Sequence, residues 1–251
     1  MPARTSVDQR FELFDHAIAQ MGKRLERVRH PEQMMEALGW GMAELERTYA
    51  ETRRSVLAKV ACHSGCDACC HVPIDVQAHE VFFAANHIQL HFPADALAAL
   101  LERLAVHRAN IAALAPGDRD LIRQPCALLR DGACSIYAGR PQACRTHHSS
   151  DATLCAAYND EAGVEIEKAY IPALRARMFA VMLGVDEALE SAGYDERCYD
   201  YGSALHEALT NSLCLLNWMR RQNAFPDSCL AYPDEPAGGA TLHAREPRDL
   251  R

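Results

Sequence analysis

Cys62, Cys66, Cys69 and Cys70 fall within nine residues, in the run CHSGCDACCH that ends at His71. Neither a hydrophobic core nor a hydrogen-bonded backbone calls for thiols at that density. Whatever the rest of the chain builds, it must present this loop where the sulfurs have a use. Cys126, Cys134, Cys144 and Cys155 extend the group, and Cys198, Cys214 and Cys229 lie beyond it.

The composition offers no competing reason for the cysteines. Apolar residues make up 49% and charged residues 24% of 251 residues, enough to bury a sizeable core without covalent staples. An odd total of eleven cysteines argues against a complete disulfide framework. The N-terminal MPARTSVDQRFELFDHAIAQMGKR lacks the apolar core and cleavage site of a signal peptide. No stretch approaches the roughly 18 uninterrupted apolar residues of a membrane span. The expected location is cytoplasmic, with no membrane partner, and there reduced thiols bind metal or do redox chemistry. A net charge of -8 disfavours nucleic acid as a partner, and the basic run GKRLERVRH reads as a solvated helix face.

Periodicity makes the scaffold helical. Phe11, Phe14, Ile18, Met21 and Leu25 recur at spacings of three and four, one face of a helix. Pro31 suits the first turn of a second helix, expected from about Glu32 to Val60. Met35, Leu38, Met42, Leu45 and Tyr49 line its face, Val56 and Val60 continue it, and Gly39 and Gly41 offer a bend. VPIDV is a short extended piece. AHEVFFAANHIQLHF is a helix ended by Pro93, and ADALAALLERLAVHRANIAALA is another, stopped by Pro116-Gly117. Residues 118–150 lose helical periodicity. Further helices are expected at about Ala152–Tyr158, Val164–Met182 and Ser203–Asn223, with Pro172 starting or kinking the middle one.

The expected fold is therefore mainly α: a helical scaffold around an irregular Cys-rich metal-binding centre with one small β-hairpin. Residues 1–60 supply N-terminal helices, 61–160 the cysteine-cluster region, 161–225 C-terminal helices packing on it, and 226–251 a polar, Pro/Gly-rich tail read as disordered.

The spacing C-x3-C-x2-C-C points to metal. An x2 gap lets two thiolates enter one small volume while the intervening amides turn toward sulfur, which zinc and iron–sulfur sites both use. Gly65 permits the tight turn before Cys66. Neighbouring side chains such as Cys69 and Cys70 usually diverge, so one of the two is expected to face a second site, a second metal or the core.

CALLRDGACSIY reads as a hairpin turning near Asp131-Gly132. A two-residue turn pairs Leu129 with Cys134 and leaves Cys126 on the opposite face. A three-residue loop, Arg130 to Gly132, pairs Leu128 with Cys134 and puts Cys126 and Cys134 on one face. The second is expected, because a shared face lets both thiols serve one site. In RPQACR, Pro141 starts a helix, and Cys144 in its first turn gains free amides and dipole that favour a thiolate. Arg140 and Arg145 would offset the charge of a thiolate site. In SSDATLC, Ser149 or Ser150 caps a helix with Cys155 one turn in.

The candidate ligands are thus Cys62, Cys66, Cys69, Cys70, Cys126, Cys134, Cys144 and Cys155, enough for two four-ligand sites. Cys198, Cys214 and Cys229 read as buried thiols, Cys214 within the apolar helix ALTNSLCLLNWM. His63, His71, His147 and His148 flank the cluster, as ligands or, more often for such positions, as neighbours. His87 and His91, four apart on a helix, could face one metal but lack a third ligand in sequence.

These residues resemble the CxxCxxCC (YkgJ-like) cysteine-cluster family, a family of zinc- or iron-chelating domains. The resemblance rests on CHSGCDACCH, VPIDVQAHE with Glu80 early in a helix, CALL, GACSIYAGRPQACR and SSDATLC, from about Cys62 to Cys155. The first gap is three residues rather than two, and the family's usual CP and aromatic at the fifth cysteine are CALL here. The resemblance implies metal chelation and leaves zinc versus iron open. Some relatives of the motif occur in flagellin lysine methylases, and no match outside the Cys region extends that activity to this chain.

Three functions compete. The first is a cytosolic cysteine-cluster protein holding an iron–sulfur cluster or zinc, acting in redox, metal handling or cluster-dependent modification. The second is a non-enzymatic interaction module with structural zinc and a protein partner on its helices. The third, a thiol–disulfide enzyme, is weakest, since no CxxC sits beside a βαβ pattern. The cluster is favoured over zinc because a helical chain of this size needs no zinc to fold. No nucleophile–base triad, phosphate loop or dinucleotide fingerprint is present.

Overall fold

A computed structural model of the chain describes residues 6–115, 118–161 and 163–232. Among them are ten α-helices and two two-stranded sheets. The helices are α1 (Ser6–Leu25), α2 (Pro31–Ala50), α3 (Arg54–Leu57), α4 (Ala78–His91), α5 (Ala94–Ala112), α6 (Gln142–Thr146), α7 (Ala152–Asp160), α8 (Pro172–Ser191), α9 (Tyr201–Thr210) and α10 (Leu213–Met219). The strands are β1 (Asp75–Val76), β2 (Leu129–Arg130), β3 (Ala133–Cys134) and β4 (Tyr199–Asp200). The mainly helical scaffold with a small hairpin is the fold class read from the sequence.

The long apolar helix α8 is the hub, packed by α1, α2 and α6, while α4 packs on α2 and α9, and α9 on α5. Met21, Leu25, Leu38, Leu45, Met178, Val181 and Val185 are buried where α1, α2 and α8 meet. The predicted α1 stripe is turned slightly, so that Ala17 shares the buried face and Phe11 is 56% exposed. Gly184 fixes the α1–α8 approach: a Cβ there would lie 2.6 Å from the Phe14 carbonyl oxygen and 2.7 Å from the Ala17 Cβ. At the other end Phe82, Trp218 and Phe225 pack as an aromatic group.

Several boundaries differ from the expectation. The second helix stops at Ala50 rather than Val60. Thr52 turns its hydroxyl back to the Thr48 carbonyl, Arg53 leaves helical space at φ −53 and ψ 134, and α3 is a separate single turn. The helix expected at Val164–Met182 begins at Pro172, whose ring suits the first turn, and runs on to Ser191. The span Ser203–Asn223 is two helices, because the Asn211 side chain accepts the Leu213 amide and breaks the ladder.

Residues 226–232, expected as the start of the tail, are instead held against the fold. Cys229 is fully buried, the Leu230 backbone pairs with Tyr199, and the Tyr232 hydroxyl donates to Asp75 at 2.8 Å. Residues 233–251, the rest of that tail, and the Pro116-Gly117 stop lie outside the described residues.

One sheet was unforeseen. β1 pairs antiparallel with β4, Asp75 opposite Asp200 and Val76 opposite Tyr199. It is locked by Arg119, which is buried and ion-paired to Asp200 at 3.1 Å and to Asp75. This sheet joins the start of α4 to the start of α9, and α6 packs on β1.

Candidate metal centre

The eight candidate cysteines come from four segments that backbone hydrogen bonds tie together. Gly65, at φ +85, makes the tight turn expected before Cys66, and a 3-10 turn at Ala68–His71 carries Cys69 and Cys70. The Cys126 amide donates to the Cys70 carbonyl at 2.7 Å, and the Gln124 amide to the His71 carbonyl at 3.0 Å. The Ala61 amide donates to the Ser149 carbonyl at 2.8 Å, and Asn159 of α7 donates its side-chain amide to the Ala68 carbonyl at 2.9 Å. All eleven cysteines are free thiols.

The hairpin takes the two-residue turn, with Leu129 opposite Cys134. Asp131 and Gly132 sit at φ +50 and +73, the paired left-handed values whose twist matches the strands, so the three-residue loop is overturned. Cys126 nevertheless reaches the same neighbourhood as Cys134. The chain turns at Cys126–Leu129, the Leu129 amide bonding the Cys126 carbonyl at 2.9 Å, so strand parity does not govern where Cys126 points.

Two thiol groups emerge. The Cys144 thiol is pushed well up by burial and then by Cys126, Cys69 and Cys134. Burial likewise raises Cys126 to about 11, with Cys134 adding to it. Cys155, in turn, is raised by desolvation and by Cys62, Cys66 and Cys69. Desolvation also raises Cys62, although that residue reaches solvent, with Cys66 and Cys69 adding to it. Cys69 stands between the groups, raised first by its hydrogen bond with the Cys70 thiol. The two neighbouring thiols influence each other from adjacent positions on the 3-10 turn.

The expectation of a helix-activated Cys144 thiolate also fails. The helix α6 has only five residues, and its Ala143 amide is taken by Glu80 Oε1 at 3.0 Å. Burial among other sulfurs then raises the thiol rather than lowering it. Asp151, not Ser149 or Ser150, caps α7, its carboxylate accepting the Leu154 amide at 2.9 Å. Ser149 instead offers its amide to the Cys62 sulfur at 3.4 Å.

Arg140 and Arg145 do face the site, and both lower the Cys134 thiol against the dominant effect of burial. Both are also paired with Glu46 of α2, Arg140 at 3.0 Å. The flanking histidines are engaged elsewhere. His63 and His71 contact the carbonyls of Ser64 and Asp67, His147 meets Tyr170 edge-on, and His148 stacks on Tyr49. His87 and His91 stack on each other 4.2 Å apart. Cys198, Cys214 and Cys229 are buried, as read from the sequence.

Other residues of the site were not foreseen as such. Glu80, 0% exposed, bridges the starts of α4 and α6 by accepting the Gln77 and Ala143 amides. Gln142 extends the buried polar line through His79 at 2.6 Å and Asp186 at 3.1 Å. Tyr201 is 4% exposed, and burial followed by Cys126, Cys144, Cys134 and Glu80 pushes its hydroxyl well up. The signal for Glu80 lay in the VPIDVQAHE run; Tyr201 carried none.

Among the described residues, no three His, Cys, Asp or Glu side chains close to the separation of a preassembled ion site. Thiols draw together around a cation, which offsets the repulsion of the thiolates, and preformed sites are rare without one. The donor set is all sulfur at its centre, with guanidiniums and one amide turned toward it, and it fits a thiophilic ion or an iron–sulfur cluster.

No helix of the described residues is long and apolar enough to cross a membrane. Neither the curated proteins nor the solved structures contain a match to this chain. Residues 61–169 match the model of the CxxCxxCC family, described as "Putative zinc- or iron-chelating domain".

Proposed function

We propose that the chain is a cytosolic protein that holds metal at two four-sulfur sites, with an iron–sulfur cluster favoured over zinc. One observation carries the reading: Cys155 has Cys62, Cys66 and Cys69 among its neighbours, and Cys144 has Cys126, Cys134 and Cys69, so that Cys69 is common to both sets. One thiol from the Cys69–Cys70 pair added to the other three of each set completes two sets of four. These thiols keep their protons without a cation and must release them when metal binds. The centre's protein role is redox, metal handling or cluster-dependent modification.

The favoured metal rests on the scaffold. The helices α1, α2 and α8 bury their own apolar faces against each other, so zinc is not needed to make the fold. An iron–sulfur cluster would supply electron transfer or an electrophilic iron at the sulfur-lined loops.

The test is anaerobic purification of the full chain, with its visible spectrum, iron, zinc and acid-labile sulfide measured on one sample. Iron and sulfide in comparable amounts with a broad visible band are expected. Stoichiometric zinc without sulfide or colour replaces the cluster with a zinc module whose helices serve a protein partner. A chain with neither metal overturns the reading.

A further inference from the structure

Tyr201 lies 32 residues beyond the end of the matched domain, at the first position of α9. The β1–β4 sheet brings it back to the cysteines: its amide bonds the Ile74 carbonyl at 3.3 Å, next to β1, on which α6 and Cys144 pack. Its hydroxyl is buried and has no hydrogen-bond partner. Nearby tyrosines are treated differently. Tyr199 gives its hydroxyl to Asp195 and Tyr232 to Asp75. Tyr194 also has an orphan hydroxyl, but its charged neighbour is Arg221, whose guanidinium lies 3.6 Å from its ring centre.

A buried hydroxyl without a partner is costly, and phenylalanine would fill the same volume without the cost. Cys126, Cys144, Cys134 and Glu80 are among the groups that surround the Tyr201 side chain. Glu80 already accepts two backbone amides. A phenol donates well to a metal-bound thiolate or sulfide, which has lost its proton and keeps lone pairs and residual negative charge.

We infer that Tyr201 is a positioning residue of the metal centre, donating its hydroxyl hydrogen bond to a sulfur of the Cys126, Cys134 and Cys144 group when that group holds metal. The inference rests on the proposed metal function and names one partner of that site. Such a donor stabilises the negatively charged sulfur and slows metal loss. Partners of this kind typically account for about 10- to 100-fold in metal affinity.

The experiment compares the full chain with Tyr201→Phe, both purified without oxygen. Iron and zinc content is measured, then the rate of metal release into excess EDTA, then the melting temperature after the metal is stripped. The variant is expected to carry metal, to release it about 10- to 100-fold faster, and to melt no lower than the wild type once stripped. Equal release rates overturn the inference and leave the metal reading standing. So does a stripped variant that melts well below the wild type, since the hydroxyl would then serve the fold itself. A wild-type chain that carries neither iron nor zinc overturns the metal reading, and this inference with it.

Discussion

Glu80 Oε1 accepts a hydrogen bond from the Ala143 amide 3.0 Å away, across 63 residues of chain. The other oxygen accepts the Gln77 amide at 2.8 Å, so one buried carboxylate fixes the start of α4 and the start of α6. Cys144 follows Ala143 directly. Removing the carboxylate leaves two buried amides without acceptors. Glu80→Ala should cost about 3 kcal/mol of stability, and Glu80→Gln, which keeps one acceptor, about half that. Urea unfolding of the metal-free chain measures both. Metal content should fall with Glu80→Ala even where the chain still folds, because the Cys144 segment loses its anchor. A Glu80→Ala chain as stable as wild type contradicts this bridge.

The eleven cysteines divide by surroundings, and substitution should divide them the same way. Cys214→Ala and Cys229→Ala empty a small volume of core and should cost about 1 kcal/mol with metal content unchanged. Cys144→Ser and Cys155→Ser belong to different thiol groups and should each lower bound metal by about half, since the other four-sulfur set keeps its ion. The double variant should lose nearly all of it. Metal analysis of the four purified variants and the double settles the division; complete loss from either single substitution indicates one shared centre.

Much of this was legible because it depends on local pattern. The apolar stripes named α1 and α2, the runs AHEVFFAANHIQLHF and ADALAALLERLAVHRANIAALA gave α4 and α5, Pro172 marked the start of α8, and Pro93 the end of α4. The cysteine spacing named the eight thiols. What escaped depends on single side chains bonding their own backbone or on contacts distant in sequence. Asn211 splits α9 from α10 with one hydrogen bond that periodicity does not register. Asp131 takes a left-handed conformation, and that choice alone shifts the hairpin register by one. The β4 strand is two residues long, too short for any alternation, and exists because Arg119 neutralises Asp75 and Asp200 placed opposite each other. Tyr201 is brought to the cysteines by that strand, so it was invisible for the same reason.

The crossing of α1 and α8 should tolerate no side chain at Gly184. A methyl group there meets the Phe14 carbonyl oxygen at 2.6 Å and the Ala17 Cβ at 2.7 Å, both closer than real contacts allow. Backbone and a β-carbon do not swing aside as a flexible side chain would, so the helices must separate. Gly184→Ala should destabilise the chain by about 1–3 kcal/mol despite the better helix propensity of alanine. Thermal melting checks the sign: a variant that melts higher than wild type means the helices are not in this contact.

Acid should act on the fold partly through His147. Burial, then Arg175 and His148, hold its imidazole at about 4, below the ordinary value of about 6.5. Between those two values the unfolded chain binds a proton that the folded chain refuses. Stability therefore falls as pH drops from about 6.5 to about 4, and this contribution is constant above that window. His147→Gln removes the titration while keeping a polar side chain. Urea unfolding of the metal-stripped proteins at a series of pH values should give a shallower decline for the variant between pH 6.5 and pH 4, and parallel curves above it. Carboxylates titrate in both proteins and cancel in the difference. Parallel curves throughout the window would mean that His147 takes up its proton in the folded chain as readily as in the unfolded one.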